Sequence, residues 1–353
     1  MRSMKNNALI QPLFAIFIGL LVGAIAMRAL GEPVIETYSE LWKGAFGNLY
    51  FIMSTLARAT PILLIALGVS IAFRAGAFNL GGEGQMVLAA VSAALVALYF
   101  PGPGFVKLMG AVIVGFAVAG GWSALAGWME AKFKVQLIIS TLLMNYIAVL
   151  FASYLVSHPF QDRDGSAALA QSKLIDASAW IPKILTGMSV HYGFIIAIVI
   201  AIGLFVTFRY SAIGYEVNML GKNPFFTSYG GVHRTKVMLI SMFVSGGIAG
   251  LAGAFEVLGS HHRFVDNALT VPEYAWIGIM AALLAKSNPI AIVFSSIFLA
   301  ALHTGSLGVE RNTDVPLEIA SVIQAVLILF ISAQLTLTWI KALKKERKNN
   351  GAI

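Results

Sequence analysis

Between Arg74 and Gln85 the sequence reads Arg-Ala-Gly-Ala-Phe-Asn-Leu-Gly-Gly-Glu-Gly-Gln. Four glycines in nine positions, Gly76, Gly81, Gly82 and Gly84, will not hold a regular helix, and among them stand Asn79, Glu83 and Gln85. A carboxylate in a bilayer core costs about 2.5–3.5 kcal/mol on insertion scales and normally faces a cavity or a partner. Asn79, Gly81, Gly82, Glu83 and Gln85 are therefore candidates for the wall of a translocation pathway. The alternative is that Asn79 and Glu83 only cap and brace a broken helix. Ser, Thr, Asp and Asn cap helices better than Glu, which argues for more than a cap at Glu83.

A second segment, Gly221-Lys222-Asn223-Pro224-Phe225-Phe226-Thr227-Ser228-Tyr229-Gly230-Gly231, carries signals of another kind. Asn223 suits an N-cap, Pro224 the first helical position, and Gly230 or Gly231 the end. The spacing predicts a two-turn helix outside the membrane whose Phe225, Phe226 and Tyr229 cannot hide in lipid. Exposed aromatics on so short an element suggest docking to another protein; the alternative is a piece tucked under its own bundle. Glu256 reads as a snorkelling or paired interfacial carboxylate rather than a proton carrier. His261 and His262 read as exposed, and adjacent helical histidines face different directions, which argues against a shared metal.

The chain that must position these residues has 353 amino acids, 58% apolar and 11% charged, with a mean hydropathy of +0.83. A soluble domain carries about 25% charged residues, so a soluble enzyme, a disordered protein and a secreted disulfide scaffold are excluded. There is no cysteine, hence no disulfide, thiol nucleophile or thiolate metal site. The net charge of +8 comes from basic residues scattered between apolar runs, not the clustered face that nucleic acid requires.

A spanning helix needs about 20 apolar residues, and ten candidates fit: about 8–30, 55–73, 78–100, 105–129, 135–157, 190–208, 237–258, 271–286, 288–308 and 317–340. Residues 1–353 then form a single all-α transmembrane domain. The first apolar run exceeds the h-region of a signal peptide, about 7–15 residues, and reads as an uncleaved helix. With both termini in the cytoplasm, fifteen of the 24 basic residues fall inside and nine outside, as the positive-inside rule requires. The tail Lys341–Lys348 reads as a stop-transfer and lipid-headgroup anchor. Neither the outer loop, about 158–190, nor the inner loop, about 209–236, can bury a core of its own.

The third span is broken by its glycines, so Gln85–Phe100 is the regular part and the segment before it enters the membrane as irregular backbone, which needs protein or a water-filled cavity around it. The eighth span is short, with Pro272 at its entrance and Thr270 as a possible cap. Paired interrupted spans of opposite direction point to an inverted-repeat transporter with its pathway between the halves. In the seventh span Gly246, Gly250 and Ala254 recur every four residues, a spacing that lets helices approach closely.

These two segments carry a resemblance. Asn79-x-Gly81-x-Glu83-Gly84-Gln85 resembles the signature of the nucleoside and simple-sugar branch of bacterial ATP-binding-cassette importer permeases, in the ribose, nucleoside and branched-chain amino acid class. Gly221-x-Asn223-Pro224, Tyr229 and Gly231-Val232 resemble that superfamily's coupling-helix motif, with Phe226 and Thr227 at its two alanine positions. The resemblance covers about 55–340. It implies a type II importer fold in the bacterial cytoplasmic membrane, a second permease that is commonly a different chain, cytoplasmic ATPase subunits carrying ATP-Mg, and an external binding protein or lipoprotein. No cofactor is expected on this chain, and no phosphate-binding loop is present: around Gly221-Lys222, Glu216 takes the first glycine position and Asn223 follows. A nucleoside is the expected solute, a simple sugar such as a pentose the alternative. A proton-coupled carrier using Glu83 or Glu256 is the competing class.

Overall fold

The computed structural model describes residues 20–164 and 169–312, apart from 26, 29, 30 and 32. The tenth expected span, 317–340, and most of the first, 8–30, lie outside them. Among the described residues the fold is helical, with two isolated bridges in place of any sheet. It is an all-α polytopic membrane protein. Seven described helices are long and apolar enough to cross a bilayer, and an eighth, Tyr274–Leu284, is shorter. In sequence these helices overlap the stretches from 55–73 to 288–308.

The helices are α1 (Val34–Phe46), α2 (Leu49–Arg74), α3 (Gly82–Tyr99), α4 (Gly104–Phe133), α5 (Leu137–Ser157), α6 (Gly193–Tyr210), α7 (Ala212–Lys222), α8 (Pro224–Tyr229), α9 (Arg234–Glu256), α10 (Tyr274–Leu284) and α11 (Pro289–Asn312). The chain divides into two compact units, residues 53–300 and residues 1–52 with 301–353.

In the larger unit α3, α4 and α9 pack against one another. Small residues permit this. Gly250 sits on Ala119, Gly246 on Ser123, and Gly253 on the Met86 carbonyl, each with no room for a side chain. The small-residue stripe of the seventh span is thus helix packing. The stretch Ala59–Ala72 of α2 is buried on every side, as an all-round apolar helix should be, with Gly68 against Ser245 and Ala249. By contrast α5 and α6 expose Tyr146, Leu150, Val199 and Ile202, the side chains of a surface that meets lipid.

The loop between α5 and α6 is more ordered than its composition suggests. It borrows a core by bonding along residues 258–266. Ser172 N donates to Phe264 O, Ile175 N to His262 O and Ile181 N to Leu258 O, each at 2.9 Å. Ile175, Ala179, Ile181 and Val190 are buried beneath it.

In the smaller unit α1, which the charge-free criterion passes over because of Glu36, Glu40 and Lys43, lays Gly44 on Gly305 and Gly308 of α11. Asn312 Nδ2 donates to Glu40 Oε2 at 2.9 Å across the same contact.

Candidate functional site

Helix α2 ends in a glycine-centred cap. Gly76 takes φ +76°, Ala77 N donates to Ala72 O at 2.9 Å and Gly76 N to Phe73 O at 3.1 Å, so the last carbonyls find partners as the chain turns away. Irregular backbone then runs to Gly81. Helix α3 starts at Gly82, three residues before the expected Gln85, because its first turn is satisfied from a neighbouring helix. Asn145 Oδ1 on α5 accepts from Gly84 N at 2.9 Å, and Asn145 Nδ2 donates to Leu80 O at 3.0 Å. A Cβ on Gly84 would lie 2.9 Å from the Asn145 Cα and the Ala148 Cβ. Glycine here serves contact rather than disorder.

Asn79 is the hub of the break. It is 0% exposed; its Nδ2 donates to Ser245 Oγ at 3.0 Å and Gln85 Oε1 at 3.2 Å, and approaches Ser123 Oγ at 3.4 Å. Its Oδ1 accepts from Gly81 N at 3.0 Å and Gln85 Nε2 at 2.9 Å. Three core helices are thus tied to one side chain, and every polar atom in the group is paired. The structure brings Asn79, Gly81 and Gln85 together inside the protein and leaves Glu83 half-buried.

Gly82 and Glu83 look elsewhere, toward the other short helix. A Cβ on Gly82 would meet Ile65 Cγ2 at 3.3 Å and Ala275 Cβ at 3.7 Å, and one on Gly278 would meet the same Ile65. The N-termini of α3 and α10 therefore meet over Ile65. Glu83 in the first turn of α3 and Glu273 at the N-cap of α10 stand within electrostatic reach of each other. Glu273 is exposed with φ +54° and makes no side-chain cap bond; Thr270, the expected cap, lies in the preceding turn. Sequence reasoning gives Glu273 no role. Its position just before the apolar core of an abnormally short span was the available signal.

The short helix α8 has the predicted caps. Asn223 Oδ1 accepts from Phe225 N at 3.1 Å and Phe226 N at 3.0 Å, Pro224 is the first helical residue, and Gly230 follows the last. Thr227 is buried, whereas Phe225, Phe226 and Tyr229 are 74%, 61% and 90% exposed. The Arg234 guanidinium lies 5.3 Å above the Phe225 ring. Gly231 takes φ +77° in the turn that leaves the helix. Gly221 touches the backbone of Arg74 and Gly76, so the base of α8 adjoins the end of α2. A cavity of about 480 Å³ lies here, lined by Gly76, Glu130, Lys134, Gly221, Pro224 and Arg234.

At the far end of α9 the helix loosens into a π turn, Val257–His261. Glu256 is buried there, bonded by Ser260 and 3.8 Å from His261 Nε2; it is paired, and does not snorkel. His262 is half-buried and stacks on Trp180 at 3.7 Å between centroids, so the adjacent histidines do serve different partners. Among the described residues no three His, Asp or Glu converge as metal ligands.

Residues 51–332 match the family described as branched-chain amino acid transport system / permease component. The chain is 32% identical to a guanosine ABC transporter permease, NupP, of Bacillus subtilis, covering 98% of this chain and 99% of that one. It is 31% identical to a nucleoside ABC transporter permease, NupB, of Lactococcus lactis (94% and 92%). It is 30% identical to a glucose ABC transporter permease, TsgB13, of Haloferax volcanii (91% and 86%). No solved structure matches.

Proposed function

The chain belongs to the family of branched-chain amino acid transport system permease components, and from that premise we propose that it moves a nucleoside into the cytoplasm as one of two non-identical permeases of an ATP-binding-cassette importer. It is the membrane-spanning subunit and not an enzyme; hydrolysis belongs to separate ATPase subunits, and an external binding protein delivers the solute. The likeness to guanosine and nucleoside permeases supports the nucleoside. The likeness to a glucose permease favours a simple sugar as the second reading.

The observation that carries the pathway is the meeting of two broken helices at Gly82 and Ala275. It leaves Glu83 and Glu273 at two helix N-termini, where the helix dipoles steady negative charge. Two carboxylates accept hydrogen bonds from ribose hydroxyls or ring N–H groups, and repel phosphates. Trp276, three residues after Glu273, is exposed and offers a ring to a base. Asn79 and Gln85 hold the break behind them, with Gly81 and Gly82 as the close-packed backbone.

The ATPase docks on α8 through Phe225, Phe226 and Tyr229, with Gly221, Asn223, Pro224 and Gly231 setting its shape. Arg74, Lys134, Arg209, Lys222 and Arg234 lie at helix ends or turns expected on the α8 side, which supports a cytoplasmic α8 and cytoplasmic termini in the bacterial inner membrane. Competition against labelled guanosine uptake by the complete complex tests the solute. Nucleosides should compete, and nucleoside monophosphates should not. Competition by hexoses alone would transfer the assignment to a sugar.

A further inference from the structure

Arg74 has the position of a topological anchor, the last residue of α2 beside the membrane surface, but it does not behave as one. It is half-buried. Its Nε donates to Ser287 O at 2.8 Å and its Nη1 to Asn218 Oδ1 at 3.0 Å, while the guanidinium lies 4.5 Å from the centre of the Phe208 ring. One planar cation thereby joins three elements besides its own: the turn after α10, helix α7, and the end of α6. A guanidinium can hold two acceptors in fixed directions at once, which an ammonium does not do.

Two of those contacts reach the elements next to α8 and α10. Asn218 is held on α7 by Nδ2 donating to Gly214 O at 2.7 Å, which turns its Oδ1 toward Arg74. Helix α7 ends at Lys222, and the next residue, Asn223, already caps α8. No flexible linker separates them. Ser287 follows Lys286 at the inner end of α10, and both adopt left-handed backbone, φ +55° and +50°, which non-glycine residues rarely take. Such strained positions persist where surrounding contacts over-determine them, and the Arg74 bond is one of those contacts. On the other side, Gly221 of α7 touches the Arg74 carbonyl and would place a Cβ 3.0 Å from Gly76 N. The break that precedes α3 therefore also rests on α7.

We propose that Arg74 is the positioning residue that transmits movement of α8 to both broken helices, through Asn218 on one side and Ser287 on the other. The inference rests on the reading of α8 as the ATPase docking helix. When nucleotide binding draws α8 sideways, α7 moves with it as a rigid continuation. Arg74 then pulls the strained turn after α10 while the Gly221 contact shifts the cap of α2. The two ends of the pathway wall move together because both are tied to Arg74, one through its guanidinium and the other through its carbonyl against Gly221.

The test uses the complete importer in proteoliposomes, with Arg74→Gln and Asn218→Leu. Three quantities are read: assembly with the ATPase subunits, basal ATPase, and stimulation of ATPase by the binding protein with the solute imported per ATP. Both variants should assemble with basal ATPase within about twofold of wild type, and lose stimulation and solute per ATP by at least about fivefold. A role in stability alone would not change that ratio. Wild-type stimulation in whichever variant assembles would overturn the proposal. Loss of assembly in both would also overturn it, leaving Arg74 as a brace. If α8 is not the docking helix, Phe225→Asp with Phe226→Asp leaves assembly with the ATPase subunits intact, an outcome separate from the stimulation read in the Arg74 and Asn218 variants.

Discussion

The side-chain amides of Asn79 and Gln85 are bonded to each other twice, Asn79 Nδ2 to Gln85 Oε1 at 3.2 Å and Gln85 Nε2 to Asn79 Oδ1 at 2.9 Å. This closed pair, buried between α3, α4 and α9, keeps the backbone before α3 irregular without leaving a polar atom bare. Asn79→Leu would strand Gln85 and the Gly81 N–H together. Each buried group left unsatisfied costs about 1–3 kcal/mol. The detergent-solubilised protein should therefore melt several degrees lower, and an unchanged melting temperature would show that water or another side chain replaces the pair.

The two neighbouring glycines should respond differently to the same change. At Gly84 a methyl meets the Asn145 Cα at 2.9 Å, backbone that cannot yield, so Gly84→Ala should reduce the folded yield. At Gly82 it meets a methyl of Ile65 at 3.3 Å, which can shift slightly, so Gly82→Ala should fold. Gly82→Leu should fold poorly against α10 or close the route, and in either case uptake should be lost. Comparing folded yield and uptake across the three variants checks the order.

Glu83→Gln keeps the shape and removes the charge. If the carboxylate accepts hydrogen bonds from the solute, uptake should fall at least about tenfold, the scale of one charge-assisted bond of 1.5–3 kcal/mol, while the ATPase subunits still assemble. Undiminished uptake would make Glu83 a structural residue only.

The short helix α8 was legible in the sequence because capping is local: Asn223, Pro224 and Gly230 lie within eight residues of one another. The break before α3 was legible for the same reason, through its glycines. What holds the break open was not, because Asn79 and Ser245 are 166 positions apart, and single serines inside apolar helices carry no periodic signal. Helix α1 escaped a criterion based on charge-free runs. The α5–α6 loop looked coreless because the residues that complete its core belong to the end of α9. Arg74 and Glu273 escaped because counting charges by side tells where a residue lies along the membrane normal and nothing of what it touches.

Phe225→Asp or Phe226→Asp should release the ATPase subunits without unfolding the bundle, since both rings already stand in solvent. Co-purification of the subunits gives the answer, with the melting temperature of the chain as control. Retained co-purification in the double variant would move the docking surface elsewhere.

The loop over the end of α9 should be sensitive to acid. His191 is 0% exposed, accepts at Nδ1 from Gly193 N at 3.1 Å, and packs its ring on Gly259. Burial pushes its pKa down from 6.5 to about 4, with the charges of His262 and Lys183 adding to the effect. Between those two values the unfolded chain binds a proton that the folded chain refuses. Stability is therefore full above about pH 6.5 and falls as the pH drops toward 4, by up to about 3 kcal/mol. Thermal melts between pH 7 and 5 should show the decline, and His191→Gln should flatten it. A decline unchanged in His191→Gln would assign the effect to another group.

The most direct measurement is uptake of labelled guanosine into proteoliposomes, made once with the complete complex and once with this chain alone. Accumulation should require the ATPase subunits, the binding protein and internal or external ATP on the α8 side, and should be indifferent to a proton gradient. Guanosine uptake by the chain alone, driven by a proton gradient without ATP, would contradict the account.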